Sequence, residues 1–261
     1  MVTLLGAGYT GQVLIRRLAE RGVPLRAARR SAPPASSPAV SYFSFDLSRP
    51  DTWQNLPSRS EVVWLFPAEP PEAVEEFLPD LLRRSTRLVV IGTTSSYRQS
   101  REDELISEAS PLDMETPRVR GEEFLRSRGA IVLRSAGIYG PPVGGLAGRN
   151  PLDWLRRGRI ADANKFLNLV HVEDLAAVIC RALESPLRGE QFIVTDGTPR
   201  RWREIYDWAR AGGYLGEIDF TGEQTRRSRR LTNERLLTVL RPTLSRTDLF
   251  RELQRLEGAL T

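Results

Sequence analysis

Three glycines near the start of the chain have the spacing of a phosphate-binding turn. The run from Gly6 to Gly11 fits the pattern G-x-G-x-x-G. In that pattern Gly6 allows a tight turn, Gly8 lets the backbone approach a pyrophosphate, and Gly11 lets the next helix pack closely. The N–H groups at the start of that helix would attract the phosphates. The alternative is a tight strand–helix turn that binds nothing.

The segments around this run favour the phosphate-binding interpretation. Residues 2–5 are apolar and predict a buried strand, 12–21 have helical spacing, and 23–30 predict a second strand. The motif is far more specific within such a unit than alone. Further strands are predicted at 40–45, 61–66, 87–91, 131–134, 166–170 and 191–195, with helices at 71–84 and 172–183. This alternation predicts an α/β fold with a doubly wound parallel sheet of the Rossmann type, which binds ligands beyond the carboxyl ends of its strands.

Composition restricts the remaining possibilities. The 261 residues are 40% hydrophobic and 27% charged, as in soluble globular proteins. Cys180 and His171 are the single cysteine and the single histidine, so we predict no disulfide framework and no metal site. No apolar run approaches the length of a membrane span, and a strand at residues 2–5 argues against a signal peptide. A cytoplasmic protein without a membrane partner is therefore expected.

The chain is basic, with a net charge of +5. Lys165 is its single lysine, and its arginines are spread along the whole sequence, mostly beside acidic residues. Such a distribution is typical of solvated or ion-paired faces, because charge alone indicates only non-specific contacts. We therefore predict no nucleic-acid partner.

The end of the second predicted strand carries Arg29, Arg30 and Ser31. Enzymes that prefer NAD usually have an acidic residue here, whereas an arginine accommodates the 2′-phosphate of NADP. A planar guanidinium can donate two hydrogen bonds to a phosphate. The sequence thus favours NADP over NAD, although two solvated arginines are the alternative.

Three later segments follow predicted strands in a characteristic order: 92–97 (Gly-Thr-Thr-Ser-Ser-Tyr), 134–141 (Arg-Ser-Ala-Gly-Ile-Tyr-Gly-Pro) and 168–176 (Asn-Leu-Val-His-Val-Glu-Asp-Leu-Ala). Together with the glycine run they resemble the extended and atypical short-chain dehydrogenase/reductases, which include NAD-dependent epimerases and dehydratases. The resemblance implies a Rossmann domain at 1–140 plus 164–197 and a small C-terminal substrate lobe at 141–163 plus 198–261. It also implies an oxidoreductase or epimerase-like activity on a small molecule that the sequence does not identify, in a monomer or homodimer.

The resemblance assigns roles to matching residues. Thr93 stands where the family carries its catalytic Ser or Thr, and Tyr97 and Tyr139 are the candidate acids. The expected cofactor-binding residues are Gly6, Gly8, Tyr9, Thr10, Gly11, Arg29, Arg30, Ser31, Asp46, Leu47, Phe66, Pro67, Thr93, Ala136, Gly137 and Ile138. His171 is expected to be structural.

The catalytic pair of the family is missing. Its members use a tyrosine and a lysine four residues later, where the cation lowers the tyrosine pKa. Here Arg118 stands in the tyrosine position and Glu122 in the lysine position, and no Tyr-x-x-x-Lys occurs. One explanation is a relocated acid, Tyr97 or Tyr139, with Arg120 or Arg134 as the cation. Another is an NADP-responsive binding or redox-sensing protein without hydride chemistry; a shifted alignment is a third, and is immaterial without such a pair.

The sequence of the expected substrate lobe indicates less about the ligand. Residues 142–150 are rich in glycine, which suits a mobile lid but also a plain connection. Arg149, Arg156 and Arg157 could contact an anionic substrate, yet arginine is too common in this chain for that to carry weight.

Overall fold

The fold is that of a computed structural model, which describes residues 1–30, 40–220 and 227–259. Within these ranges a seven-stranded parallel sheet has the order β11-β7-β5-β4-β1-β2-β3. Its strands are β1 (Val2–Leu5), β2 (Leu25–Arg29), β3 (Ser41–Ser44), β4 (Ser60–Trp64), β5 (Ser85–Thr93), β7 (Ile131–Ser135) and β11 (Gln191–Val194). The strand order reverses beside β1, and the carboxyl ends of β1 and β4 therefore open a crevice, as in doubly wound folds.

Short strands form three two-stranded pairs outside this sheet. They are β6 (Glu104–Ile106) with β13 (Arg229–Leu231), β8 (Gly137–Tyr139) with β10 (Leu169–His171), and β9 (Phe166–Leu167) with β12 (Arg200–Arg201). The single strand expected at 166–170 is thus two strands, neither in the main sheet. Asn168 separates them, because its amide donates to Arg229 O (2.9 Å) and accepts from Leu231 N (2.8 Å).

Seven α-helices surround the sheet in the described ranges. They are α1 (Tyr9–Glu20), α2 (Pro71–Arg84), α3 (Pro117–Ser127), α4 (Leu152–Arg156), α5 (Val172–Glu184), α6 (Trp202–Ala211) and α7 (Leu249–Gly258). None of these helices is long and apolar enough to cross a membrane.

Successive apolar side chains along a strand point to opposite faces of the sheet, and each face therefore has its own hydrophobic core. Leu4 packs with α1 and α5, whereas Leu5 packs with α2 on the opposite face. Val62 and Val63 divide in the same way, because successive side chains of a strand point to opposite faces. Strands buried on both faces are rich in apolar residues, as expected for a parallel sheet between helices.

A third apolar cluster lies beside the sheet and joins the C-terminal elements. It combines Tyr139 of β8 with residues of α4, α6 and α7: Leu152, Leu155, Trp202, Ile205, Tyr206, Leu249 and Leu253. Trp202 and Tyr206, four residues apart on one surface of α6, are both buried here. This cluster holds the C-terminal elements over the end of β8, next to the crevice.

Candidate cofactor and active site

The glycine turn, residues Gly6–Gly11, has the geometry that its sequence predicts. Gly6 has a φ of +109°, which favours glycine. A Cβ on Gly11 would lie 2.5 Å from Gly6 O, so the start of α1 packs directly on the turn. Gly8, in contrast, has no atom within 4 Å of its Cβ position. The turn is therefore tight on its protein side and open on the side that a ligand would approach.

The start of helix α1 is suited to an anion. The helix begins at Tyr9, its N-cap residue Gly8 offers no side-chain hydrogen bond, and its first turn contains no acidic residue. The first N–H groups of a helix have no partner within the helix and carry a partial positive charge. They point beyond the carboxyl end of β1.

A cavity of about 610 Å³, the Arg29 cavity, lies on one side of the glycine turn. The ends of β2, β3 and β4 supply the residues expected there: Arg29, Arg30, Asp46, Leu47, Phe66 and Pro67. Ser31, also expected in this group, lies outside the described residues. The structure thus brings most of this predicted set to one cavity.

The two arginines of this cavity differ in their surroundings. The Arg29 guanidinium lies 5.2 Å from the centre of the Tyr42 ring, whereas Arg30 is exposed. Asp46 lines the same cavity, and its Oδ1 accepts a hydrogen bond from Ser48 N (2.9 Å). Cationic and anionic groups are therefore both available to a ligand at this end.

A second cavity, the Thr93 cavity, continues from the other side of the turn with a volume of about 350 Å³. Gly8, Leu65, Phe66 and Pro67 line both cavities, which makes the crevice continuous. The Thr93 cavity is also lined by Tyr9, Thr10, Gly11, Thr93, Arg118, Ser135, Ala136, Ile138 and Arg149. Gly137 lies in a neighbouring cavity with Tyr139.

Thr93 is the expected catalytic residue that reaches this cavity. It ends β5, and its Oγ1 accepts a hydrogen bond from Ser95 N (3.2 Å) and lies 2.8 Å from Ser95 Oγ. Its hydroxyl is thereby fixed at the carboxyl end of a central strand.

Tyr97 lies elsewhere, which corrects the expectation that it could serve as the relocated acid. Its side chain is 3% exposed, and its ring lies under the Arg134 guanidinium at 5.7 Å. Burial raises the pKa of Tyr97 far above its ordinary value, and Arg134 only partly opposes this effect. A buried phenol with a raised pKa is a poor proton donor near neutrality.

Tyr139 does not reach the Thr93 cavity either. It is 1% exposed, its ring packs edge-on against His171 at 5.1 Å, and its hydroxyl donates to Arg246 O (3.4 Å). Burial again raises the pKa of Tyr139. Its side chain therefore joins β8 to the C-terminal elements instead of facing Thr93.

The two residues that the resemblance places at the family's tyrosine and lysine positions form an ion pair. Arg118 and Glu122, one turn apart on α3, are joined by Arg118 Nε donating to Glu122 Oε1 at 2.8 Å. Arg118 Nη2 also donates to Ile91 O (3.3 Å), which fixes the guanidinium at the end of β5. Sequence reasoning named both residues as departures but missed their bond, although their i, i+4 spacing is a signal for it.

Behind this pair lies a buried charge network. Arg134 of β7 is 0% exposed, like Glu122, and donates to Glu122 Oε2 through Nη1 and to Glu123 Oε1 (2.7 Å) through Nη2. Arg126 binds Glu123 from the other side at 2.6 Å. Burial raises the pKa of Glu122, and the guanidinium groups of Arg134 and Arg118 oppose that rise.

This network also corrects the proposed cation partners of a relocated acid. Arg134 is committed to its two carboxylates inside the protein, and Arg120 is exposed on α3. Neither residue lines the Thr93 cavity.

The segment after β8 folds over the start of α1. Tyr9 Oη donates to Pro141 O (3.0 Å), and the Arg149 guanidinium lies 4.8 Å from the centre of the Tyr9 ring. Burial raises the pKa of Tyr9 to about 12, opposed by nearby Arg149. Arg149 is thereby held at the border between the Thr93 cavity and the neighbouring cavity around Tyr139.

His171 has a local structural contact. Its Nδ1 accepts a hydrogen bond from Glu173 N (3.2 Å) and so caps helix α5. Burial lowers the pKa of His171, which keeps Nδ1 available as an acceptor. Within the described residues no cluster of three or more His, Cys, Asp or Glu side chains could hold a metal ion.

Comparison with solved structures identifies proteins with the same fold. A candidate NAD-dependent epimerase/dehydratase from Methylobacillus flagellatus is 24% identical, with a TM-score of 0.76 over 99% of this chain and 98% of its own. A candidate epimerase from Burkholderia cenocepacia J2315 is 16% identical, with a TM-score of 0.80 over 99% and 97%. MoeE5, solved with UDP-glucose and NAD, is 19% identical, with a TM-score of 0.76 over 100% and 99%.

The chain has the fold of the epimerase/dehydratase-like short-chain dehydrogenases. Its central sheet is parallel and of the Rossmann type, as the sequence predicts. No family model and no curated protein sequence matches the chain. The similarity therefore concerns the whole fold.

Proposed function

We propose that this chain binds a nicotinamide dinucleotide along the carboxyl edge of its sheet and acts as an epimerase-like oxidoreductase on a small molecule. The observation that carries the proposal is the glycine turn, which is closed against the protein at Gly11 and open at Gly8. The adenosine half would occupy the Arg29 cavity, the pyrophosphate would meet the start of α1, and the nicotinamide would extend into the Thr93 cavity.

The lining residues define the chemistry at the nicotinamide end. A bound nicotinamide would supply or accept a hydride there. The Thr93 hydroxyl can donate a hydrogen bond to a substrate oxygen. The Arg118 guanidinium presents only N–H donors, so it would stabilise negative charge on that oxygen. In this proposal the proton itself is exchanged with solvent.

Cofactor binding is the first test. Titration with NADH and NADPH, followed by nicotinamide fluorescence, should give saturable binding to the wild-type protein. The control variant is Gly216→Ala, which should bind like the wild type because its Cβ would meet nothing within 4 Å and Gly216 lines neither the Arg29 cavity nor the Thr93 cavity. No saturable binding of either dinucleotide would contradict the proposal.

The proposal also includes a preference for NADP over NAD. It is supported by Arg29 and Arg30 at the Arg29 cavity, whereas MoeE5 was solved with NAD and Asp46 offers a carboxylate nearby. The double variant Arg29→Glu/Arg30→Glu should weaken NADPH binding much more than NADH binding. An unchanged ratio of the two dissociation constants would refute the assignment of these arginines to a 2′-phosphate.

Activity is the second test. NADPH or NADH oxidation should be followed with a panel of carbonyl compounds and sugar nucleotides. A reaction abolished by Arg118→Gln but retained in Arg128→Gln, an exposed position at the end of the same helix, would support the role of Arg118.

A second candidate is a non-catalytic protein whose binding of a partner depends on the cofactor. The replacement of a proton-transferring pair by the Arg118–Glu122 ion pair favours it. This function requires NADP⁺ and NADPH to change the affinity for the partner differently. Tight cofactor binding without turnover of any panel compound would favour this candidate, and measured turnover would exclude it.

A further inference from the structure

The Thr93 cavity carries positive charge without a matching negative charge. Arg118 and Arg149 line it, and no Asp or Glu is among its described lining residues. Guanidinium groups that line a cavity are suited to bind carboxylates and phosphates.

The charge network behind the cavity explains why Arg118 keeps its charge available. Three guanidinium groups, those of Arg118, Arg126 and Arg134, share two carboxylates, Glu122 and Glu123. One positive charge is therefore left over within this network. Arg118 is its member at the cavity, with a side chain 25% exposed, whereas Arg134 is 0% exposed.

Arg118 also has one guanidinium nitrogen, Nη1, available to a ligand. Its Nε binds Glu122 and its Nη2 binds Ile91 O, and within the described residues no hydrogen bond reaches Nη1. The two bonds hold the guanidinium plane in place, so little conformational freedom remains to be lost on binding.

Arg149 also lines the Thr93 cavity. No carboxylate partner of its guanidinium occurs in the described parts of the chain, and its neighbour is the Tyr9 ring. Tyr9 stands at the start of α1, so Arg149 lies between the glycine turn and the cavity around Tyr139.

We propose that the Thr93 cavity takes a ligand carrying a carboxylate, which Arg118 binds and Arg149 helps to hold beside the cofactor. The proposal rests on the proposed function, because the bound dinucleotide would form one wall of the site. A carboxylate is favoured over a phosphate because a planar carboxylate matches the planar guanidinium.

The test uses oxamate, a small planar carboxylate, with propionamide as a neutral molecule of similar size. Both are titrated into the full-length protein saturated with its cofactor, at constant ionic strength, and binding is followed by calorimetry. Oxamate should bind saturably, and propionamide should not. Arg118→Gln should weaken oxamate binding by about tenfold or more, because it removes a hydrogen bond between two charged groups.

Further variants separate binding from folding. Arg118→Lys keeps the charge but loses the planar edge and should bind oxamate with intermediate affinity. Arg149→Gln should weaken oxamate binding less than Arg118→Gln does. Arg128→Gln, on the exposed end of the same helix, should bind like the wild type. Thermal unfolding of each variant identifies any that fail to fold. If Arg118→Gln does not fold, the oxamate affinity of Arg118→Lys decides whether Arg118 binds the carboxylate.

The contradicting results are distinct. Equal oxamate affinity of wild type and Arg118→Gln, or equal binding of propionamide, would overturn the proposal. Inorganic phosphate binding as tightly as oxamate, with the same dependence on Arg118, would overturn the carboxylate assignment. If neither dinucleotide binds, the proposed function fails, and oxamate titration of the cofactor-free protein then decides the anion site by itself.

Discussion

The two ends of the crevice are formed by different parts of the residues: the backbone at the glycine turn and charged side chains at the Thr93 cavity. At the glycine turn, every geometric feature expected of a pyrophosphate site is present in the backbone of Gly6, Gly8 and Gly11. At the Thr93 cavity, the positions expected to hold a proton-transferring pair carry Arg118 and Glu122, joined to each other and to a buried arginine. The comparison teaches that the backbone geometry of the turn and the side chains of the Thr93 cavity are carried by different segments of the chain.

The largest effect is expected from Glu122→Gln. The substitution leaves Arg134 buried with one carboxylate fewer and frees Arg118 from its partner, and losing one member of a buried pair costs about 3–5 kcal/mol. Urea unfolding should show this loss. Glu115→Gln, with a side chain 86% exposed, is the control and should change stability by less than about 0.5 kcal/mol. A Glu122→Gln variant as stable as the wild type would mean that the network does not stabilise the Thr93 end.

A pH effect is expected from Asp196, at the carboxyl end of β11. Burial raises the pKa of Asp196 to about 6, opposed by its bond from Thr198 N (2.9 Å). Because the pKa in the folded state is above that of the unfolded chain, its stabilising contribution is present below pH 4 and is lost as the pH rises through about 6. The loss is about 3 kcal/mol at most.

The measurement is the difference between wild type and Asp196→Asn. Asparagine can keep the bond from Thr198 N but does not ionise. The variant should therefore gain stability relative to the wild type between pH 4 and pH 7.5. A difference that stays constant with pH would contradict the raised pKa.

Gly11→Ala should destabilise the glycine turn itself. Its Cβ would lie 2.5 Å from Gly6 O, and a backbone atom cannot move aside as a flexible side chain can. Overpacking of this kind costs about 1–3 kcal/mol. Urea unfolding tests it, and unchanged stability would show that the contact relaxes without cost.

Gly8→Ala is the matched variant of the same turn and should have the smallest effect on folding. Its Cβ position is free of protein atoms and its φ of −75° suits alanine, so stability should stay within about 0.5 kcal/mol. The methyl group would instead meet the pyrophosphate, and cofactor affinity should fall about tenfold, or about 1.4 kcal/mol. Normal affinity would place the ligand elsewhere.

The glycine turn could be predicted because its information is local. Gly6, Gly8 and Gly11 act through the backbone between one strand and the next helix, so their spacing alone specifies the geometry. The parallel order of the sheet follows from the alternation of elements in the same way. Thr93 could be predicted because the end of a central parallel strand faces the crevice.

The arrangement at the Thr93 end could not be predicted, because it depends on contacts between distant segments. Tyr97 and Tyr139 follow strand ends, as catalytic residues do, but their rings are buried against the Arg134 guanidinium and the His171 ring. The bond between Glu122 and Arg134 joins α3 to β7, and neither segment alone indicates that both side chains are buried. Residue type and position did not determine side-chain direction.

The Glu122–Arg134 bond also restricts how this chain could change over evolutionary time. Lysine at position 122 would place two cations together where both native side chains are 0% exposed. Changing Arg134 first would leave Glu122 and Glu123 with fewer cations to bind. A tyrosine–lysine pair at positions 118 and 122 could therefore be introduced only through a destabilised intermediate or through simultaneous substitutions on α3 and β7.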